Sequence, residues 1–285
     1  MPNEIDSKWI VGSTGIFVGE PGAEWKRIGE FDFFINMIVR LDTILVAGAN
    51  CGLWKVNPAT GGWKQLHDET LTEVLALAPS SGNPGVIAGS PYGVATGRVS
   101  DYDAVRWTFH SDELSVNEKF TNCILQMREG DGYLVGTEAG VLSLSSDRWQ
   151  RTSLTGFPVR AIMEVKGEFF AGSDGHGLFR SRDGLSWRKA GRGSDERDVL
   201  SFAFDGDRIV AGTDRGVIHG DASGAWQQSG PSVLVAAVAA ADRGCWLIGC
   251  HPSGLWWTDD TGKTYAQLGE TSNVSSILAP QSATQ

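Results

Sequence analysis

The chain has 285 residues, and its 24 Lys and Arg against 34 Asp and Glu leave a formal charge of −10. A nucleic-acid backbone or an anionic membrane recruits a basic surface, so neither is expected as a partner. Apolar residues make up 41% of the chain, enough for a core, and Gly is 37 of 285, close to twice its usual share of roughly 7%.

Met1–Lys8 carries no basic n-region and no apolar h-region, so no signal peptide is expected. The longest apolar run, Val233–Ala241, is far short of the roughly 20 residues that span a bilayer. Cys51, Cys123, Cys245 and Cys250 are too sparse for a disulfide scaffold and form no Cys-x-x-Cys pair. These features lead to the expectation of a cytoplasmic, monomeric protein with reduced thiols, no metal and no cofactor.

In chain order, a glycine pair flanking a short loop and followed by apolar residues recurs seven times. The pairs are Gly12 and Gly15, Gly48 and Gly52, Gly89 and Gly93, Gly136 and Gly140, Gly172 and Gly177, Gly212 and Gly216, Gly249 and Gly254. Their second members lie 37, 41, 47, 37, 39 and 38 residues apart. About ten residues after each pair stands an aromatic: Trp25, Trp63, Trp107, Trp149, Trp187, Trp226 and Tyr265. Two independent markers therefore count seven units of roughly 40 residues, the period of propeller blades.

Each unit reads as four short strands with Gly and Asp at the turns. In the fifth, these are Val159–Glu164, Glu168–Gly172, Leu178–Ser181 and Ser186–Lys189. First strands such as Leu200–Phe204 and Val233–Ala240 are apolar on both faces, as a sheet packed between two neighbours requires. The first unit starts at Trp9 with a second strand and has no first strand before it. The last unit is followed by an extra apolar segment, Val274–Ala279. The tail is therefore expected to complete the head, closing the ring and removing exposed sheet edges.

The expected fold is an all-β, seven-bladed β-propeller of four-stranded antiparallel blades in a single domain. Blade 1 takes 9–29 plus 273–279, blade 2 takes 33–66, blade 3 takes 72–110 and blade 4 takes 120–153. Blade 5 takes 158–190, blade 6 takes 198–229 and blade 7 takes 233–268.

Ser181-Arg-Asp183-Gly184-Leu-Ser-Trp187 and Thr258-Asp-Asp260-Thr-Gly262-Lys-Thr-Tyr265 resemble the Asp-box, or BNR, repeat. The second match is full and the first is one residue short. The resemblance implies a structural turn in which the Asp caps backbone N–H groups, so Asp183 and Asp260 are not expected to be functional. The superfamily holds sialidases, lectins, lyases and photosystem assembly factors, so it does not choose a function. A sialidase is a poor match, since Arg27-Ile28 is followed by Gly29 where that family has an Arg-Ile-Pro motif. The seven-unit count is similar to the photosystem-assembly-factor type.

Propellers bind at the face where loops between second and third strands meet the connections between blades, and this analogy selects the candidate residues. Glu73, Asp198, His176 and His251 are the catalytic candidates, because acid–base work needs titratable groups in one pocket. Arg160, Arg215, Tyr92, Asn50, Asp214 and Asn273 are the substrate-binding candidates, the two arginines as anion clamps. The connections between blades add His67, His110 and Glu270. Two functions are open: a propeller binding a small molecule or protein at this acidic, His-containing face, or a hydrolase or lyase working at the channel mouth.

Overall fold

A computed structural model describes residues 5–41, 43–80, 85–99, 105–128, 132–221, 224–241, 244–269 and 271–281; Glu270 lies outside them. The strands form seven four-stranded antiparallel sheets. The innermost strands are Ile35–Leu41, Ala76–Ser80, Thr121–Gln126, Val159–Val165, Val199–Phe204, Leu234–Ala241 and Ser276–Leu278. Each packs against the next around a closed circle, the last lying between the seventh sheet and the second. The fold is a seven-bladed β-propeller.

The hydrophobic core is correspondingly divided. Among the described residues, seven clusters of buried side chains are present, and every one lies between two neighbouring blades. In the second strand of blade 2, Val46 packs toward blade 3 while its neighbours Leu45 and Ala47 pack toward blade 1. Successive side chains point to opposite faces of a strand, so a sheet buried on both sides must be apolar at every position. That is why the central strands carry continuous apolar runs.

The two glycines of each pair do different work. The first lies in the second strand, where the next blade's inner strand comes closest. A Cβ on Gly12 would stand 2.8 Å from Ile35 Cγ2, and one on Gly172 would stand 2.6 Å from Val199 Cγ1. The other five meet Val74, Thr121, Val159, Val235 and Val274 in the same way. The second glycine, such as Gly177 at φ 68°, holds the left-handed conformation that closes the loop. Between the pair, a hydroxyl ties the loop: Thr213 Oγ1 donates to Gly216 O at 2.9 Å, Ser173 Oγ to Gly177 O at 2.9 Å and Thr137 Oγ1 to Gly140 O at 3.0 Å.

The recurring aromatics lock neighbouring outer strands together. The indole N–H of Trp63 donates to Ile28 O, that of Trp107 to Leu66 O and that of Trp226 to Ala190 O, each at 3.1 Å. Trp149 makes the same bond to His110 O. Each acceptor belongs to the preceding blade. Trp187 instead donates to Gly184 O in its own turn, at 2.9 Å.

The two best Asp-box matches fold as tight turns. Asp183 Oδ1 accepts from the N–H groups of Leu185 at 2.8 Å and Ser186 at 2.7 Å, and Asp260 Oδ1 accepts from Lys263 at 2.9 Å and Thr264 at 3.0 Å. Those bonds hold both carboxyls well below the usual carboxylate range. They also shorten the outer strand of blade 5 to Arg188–Lys189, where the sequence suggests Ser186–Lys189, because the N–H of Ser186 is engaged by the turn.

The tail segment completes blade 1. Ser276–Leu278 pairs antiparallel with the strand Trp9–Ser13, with Ile10 opposite Leu278 and Gly12 opposite Ser276. The strand is shorter than the expected Val274–Ala279, yet Val274 is fully buried in the cluster between blades 7 and 1. At roughly 1.5–3 kcal/mol per buried aliphatic side chain, Val274, Ile277 and Leu278 contribute several kcal/mol. That is comparable with the whole stability of a domain, ~5–15 kcal/mol. Deleting residues 274–279 is therefore expected to lower the melting temperature of the entire molecule in one cooperative step, read by near-UV circular dichroism. A truncated chain that melts like the parent would contradict the closure.

Candidate functional site

The loops joining second to third strands and the connections between blades lie on one face, at the start of every inner strand. In blades 2, 4, 5 and 6 a repeated backbone bond sets the loop against that strand. The N–H of the first loop residue donates to the carbonyl just before the inner strand: Asn50 to Phe34 at 3.0 Å, Asp174 to Pro158 at 3.1 Å and Asp214 to Asp198 at 3.1 Å. Glu138 donates to Phe120 O at 3.2 Å, one position before the strand that starts at Thr121. Five inner strands then carry a bulge near their start, at the second residue (Asn36, Asn122, Arg160 and Leu200) or the third (Ala236). A bulge leaves one residue out of the ladder and re-aims its side chain. All five are half-buried.

In blades 4 and 5 these positions, Asn122 and Arg160, build a polar arc centred on Arg160. Its Nε stands 3.0 and 2.9 Å from the two Asp174 oxygens, and its Nη2 is 2.6 Å from Asp174 Oδ2. Its Nη1 donates to Glu138 Oε1 at 2.7 Å and Asn122 Oδ1 at 2.9 Å, and Asn122 Nδ2 donates to Glu138 at 3.1 Å. Burial works against the Arg160 charge, but the bonds to Asp174 and the charges of Asp174 and Glu138 outweigh it and raise the pKa. Most of its donors are thus directed at the protein's own side chains, so Arg160 would clamp an anion only by releasing one of them.

The arc continues into blade 6. Asp198 Oδ1 accepts from Gly175 N–H at 2.7 Å, fixing the loop that bears His176. Asp214 accepts from Asp198 N–H at 3.3 Å and from Arg215 Nε at 2.8 Å, and Arg215 Nη2 reaches Glu196 O at 3.3 Å. Four carboxylates (Glu138, Asp174, Asp198, Asp214) face two guanidiniums (Arg160, Arg215), which leaves 2 − 4 = −2. On the other side of the mouth, from blade 7 through blades 1 to 3, the connections also carry carboxylates, with Asp32, Asp68 and Glu69 exposed. Leu234 and Ala236 stand there with Asn273, Ser275, Phe34, Asn36 and Leu75, and with the carboxylate of Glu73.

The remaining sequence candidates are spread around this ring. His176 is exposed, its Nδ1 lies 2.8 Å from Asp174 O, and its ring stacks on Phe157 at 4.3 Å. His251 is half-buried in blade 7, and its Nε2 has no hydrogen-bond partner among the described residues. Asn50 Oδ1 accepts from Phe34 N–H at 3.2 Å. Asn273 is half-buried with φ 54°. Among the described residues no hydrogen bond or ion pair joins any two of Glu73, Asp198, His176 and His251. Two connection histidines turn away from the mouth: His67 Nδ1 sits 3.0 Å from Leu53 O against Trp54. His110 points into a crevice between blades 3 and 4. Asn36 and Asn122 were missed by sequence reasoning; their signal is the polar residue directly after the β-branched residue that faces the preceding blade's glycine.

Among the described residues, three of the four exposed large hydrophobics stand on this face, in separate blades or connections; the fourth, Phe109, is in the outer strand of blade 3. Tyr92 is 72% exposed in the blade 3 loop, Val116 is 82% exposed in a one-turn helix (Val116–Lys119) between blades 3 and 4, and Leu234 opens the inner strand of blade 7. A bidentate ion pair pins that helix: Glu118 accepts from Arg151 Nε at 2.6 Å and Nη2 at 3.0 Å, and from Ser115 N–H at 2.9 Å. A further cavity of about 780 Å³ lies away from the mouth, between blades 1 and 2, bordered by Lys8, Lys26, Arg27, Phe31 and Trp63.

No family model matches the chain, and no curated protein matches it. Solved structures do. The extracellular domain of a putative one-component system, BT4673 from B. thetaiotaomicron, is 17% identical with a TM-score of 0.70. That alignment covers 85% of this chain and 35% of that one, so the chain spans about a third of its length. The RRP9 WD40 repeats are 14% identical with a TM-score of 0.67, covering 94% of this chain and 88% of that one. U3-55K is 15% identical with a TM-score of 0.64, covering 87% and 86%. At these identities the similarity establishes the fold alone.

The Glu118 pair gives a pH test of how the rim is held. The hydrogen bond from Arg151 lowers the Glu118 pKa to about 2, against an ordinary value of 4.5. A depressed folded-state pKa contributes stability that is present above the unfolded value and lost as pH falls toward the folded one. Arg151 is largely exposed, so solvent screening reduces the effect to ~1 kcal/mol. Glu118→Gln is expected to remove that contribution at neutral pH and to flatten the acid limb of stability between about pH 5 and 2, measured by urea unfolding. An unchanged limb would contradict the pair's role.

Proposed function

We propose that the protein is a binding module that takes a partner across the channel mouth, and that a polypeptide segment fits this face best. The observation carrying the proposal is the make-up of the mouth: a fixed acidic arc over blades 4 to 6, further carboxylates in the connections of blades 1 to 3, and the exposed apolar side chains of Tyr92, Val116 and Leu234 on the same face. Exposed apolar groups gathered beside fixed polar groups mark interaction surfaces. The acidic arc favours a segment carrying Lys or Arg, and Tyr92 offers the aromatic contact that commonly anchors an interface. A small ligand would use the same bulged positions. The cytoplasmic setting belongs to this reading as well.

An array of short peptides probed with the purified chain tests the proposal. Binders should combine a basic residue with an aromatic or branched apolar one, and Tyr92→Ala together with Val116→Ser should weaken them at least about tenfold, a cost of ~1.4 kcal/mol. Binding that survives both substitutions, or an array with no binder, would overturn it.

A further inference from the structure

Blade 3 departs from blades 1, 2 and 5 at one position, outside the mouth. In those three blades the residue just after the outer strand donates its N–H to the third strand: Ile28 to Ile16, Leu66 to Leu53 and Ala190 to Leu178. Its carbonyl receives the next blade's indole, and its side chain is buried and apolar. In blade 3 that residue is His110. It keeps both backbone bonds, to Val94 O at 3.0 Å and from the Trp149 indole, so the structural role is met without an imidazole.

The imidazole is nonetheless engaged at both nitrogens. Nε2 lies 2.8 Å from Thr96 Oγ1, and Nδ1 lies 3.2 Å from Asp147 Oδ1 in the facing hairpin turn of blade 4. The carboxylate can only accept, so it fixes the proton on Nδ1 and leaves Nε2 free to receive the Thr96 hydroxyl proton. The His110 side chain is 9% exposed, which shields the ring from bulk water. These groups open onto a cavity of about 300 Å³ bordered by Tyr133, Ser145 and Ser146. A hydroxyl bonded to an imidazole that is oriented by a carboxylate is the arrangement of nucleophilic catalysis.

We propose that Thr96, His110 and Asp147 form a nucleophile–base–orienter triad that cleaves small acyl esters. Thr96 Oγ attacks the ester carbonyl carbon while its proton passes to His110 Nε2, giving a tetrahedral oxyanion. Ser80, Ser145 and Ser146 border the cavity and bring hydroxyl donors for that oxyanion. Collapse breaks the bond to the alcohol oxygen, which takes the proton from His110, and leaves Thr96 acylated. A water molecule, deprotonated by His110, then attacks the acyl-threonine. The acid departs, the proton returns to Thr96, and the sum is ester plus water giving acid plus alcohol. Asp147 is 83% exposed, so it orients the ring more than it stabilises its charge. This site is independent of the mouth and of the binding role given to it.

The full chain incubated with p-nitrophenyl acetate tests the triad. Nitrophenolate release is expected, and acid-quenched samples digested for mass mapping should carry one acetyl group on Thr96. Thr96→Val and His110→Leu should each slow release by about 10²–10⁴-fold, whereas Thr96→Ser should retain both release and labelling. His110→Leu installs the residue that blade 2 has at this position, so it is expected to fold, and its melting temperature checks that. Asp147→Asn, in a turn position with φ 59° that Asn also adopts, should slow release about tenfold. No release above buffer, release unchanged in Thr96→Val, or acetyl groups found only on other side chains would each overturn the assignment.

Discussion

The structure depends on how closely one sheet can approach the next. At seven places a glycine in a second strand faces a β-branched side chain at the start of the neighbouring inner strand or just before it, at distances that leave no room for a Cβ. Close packing of this kind is unforgiving, because a well-packed interior accommodates an added methyl only by shifting backbone or forcing rotamers. In a ring the constraint compounds, since each sheet is held from two sides and an error at one interface must be absorbed by the others. The indole bonds between outer strands apply the same constraint at the rim, where the sheets diverge.

The mouth follows from this arrangement. The side chain facing the glycine is β-branched in all seven blades, and the residue after it is bulged out of the ladder in five. The backbone thus presents a ring of positions that packing leaves unconstrained, and this chain has filled them unequally. Asn122 and Arg160 draw in Glu138 and Asp174 to build a self-satisfied polar arc, while Leu200 and Ala236 leave their positions apolar. Buried or half-buried charges persist only when paired. The arc is held by its own hydrogen bonds, while Tyr92, Val116 and Leu234 on the same face are exposed.

Much of the fold could be read from the residues because its signals repeat. The glycine spacing, the trailing aromatics and the unpaired strands at the two ends each point to a closed seven-unit ring. The glycine pair itself was legible only as a loop signal; the separate task of its first member appears once the facing Ile or Val is known, because that contact spans two repeats. The site was less legible. His110 belongs to the blade connections by position, yet its side chain turns into the crevice because Asp147, from the next blade, lies there. Arg160 reads as a free cation in sequence, but Glu138 and Asp174 come from loops of two different blades. Side-chain pairings between repeats have no spacing of their own to reveal them, and they decide which charges are available.

A double-mutant cycle on Gly12 and Ile35 tests the packing constraint most directly. Gly12→Ala would place its Cβ against Ile35 Cγ2 and is expected to cost ~1–3 kcal/mol by equilibrium unfolding. Ile35→Ala removes that methyl and opens the space, at a cost of ~2–5 kcal/mol on its own. The account predicts that the double variant is more stable than the sum of the two losses implies, by at least ~0.5 kcal/mol. Strictly additive losses would show that glycine is not required there for the approach of neighbouring sheets.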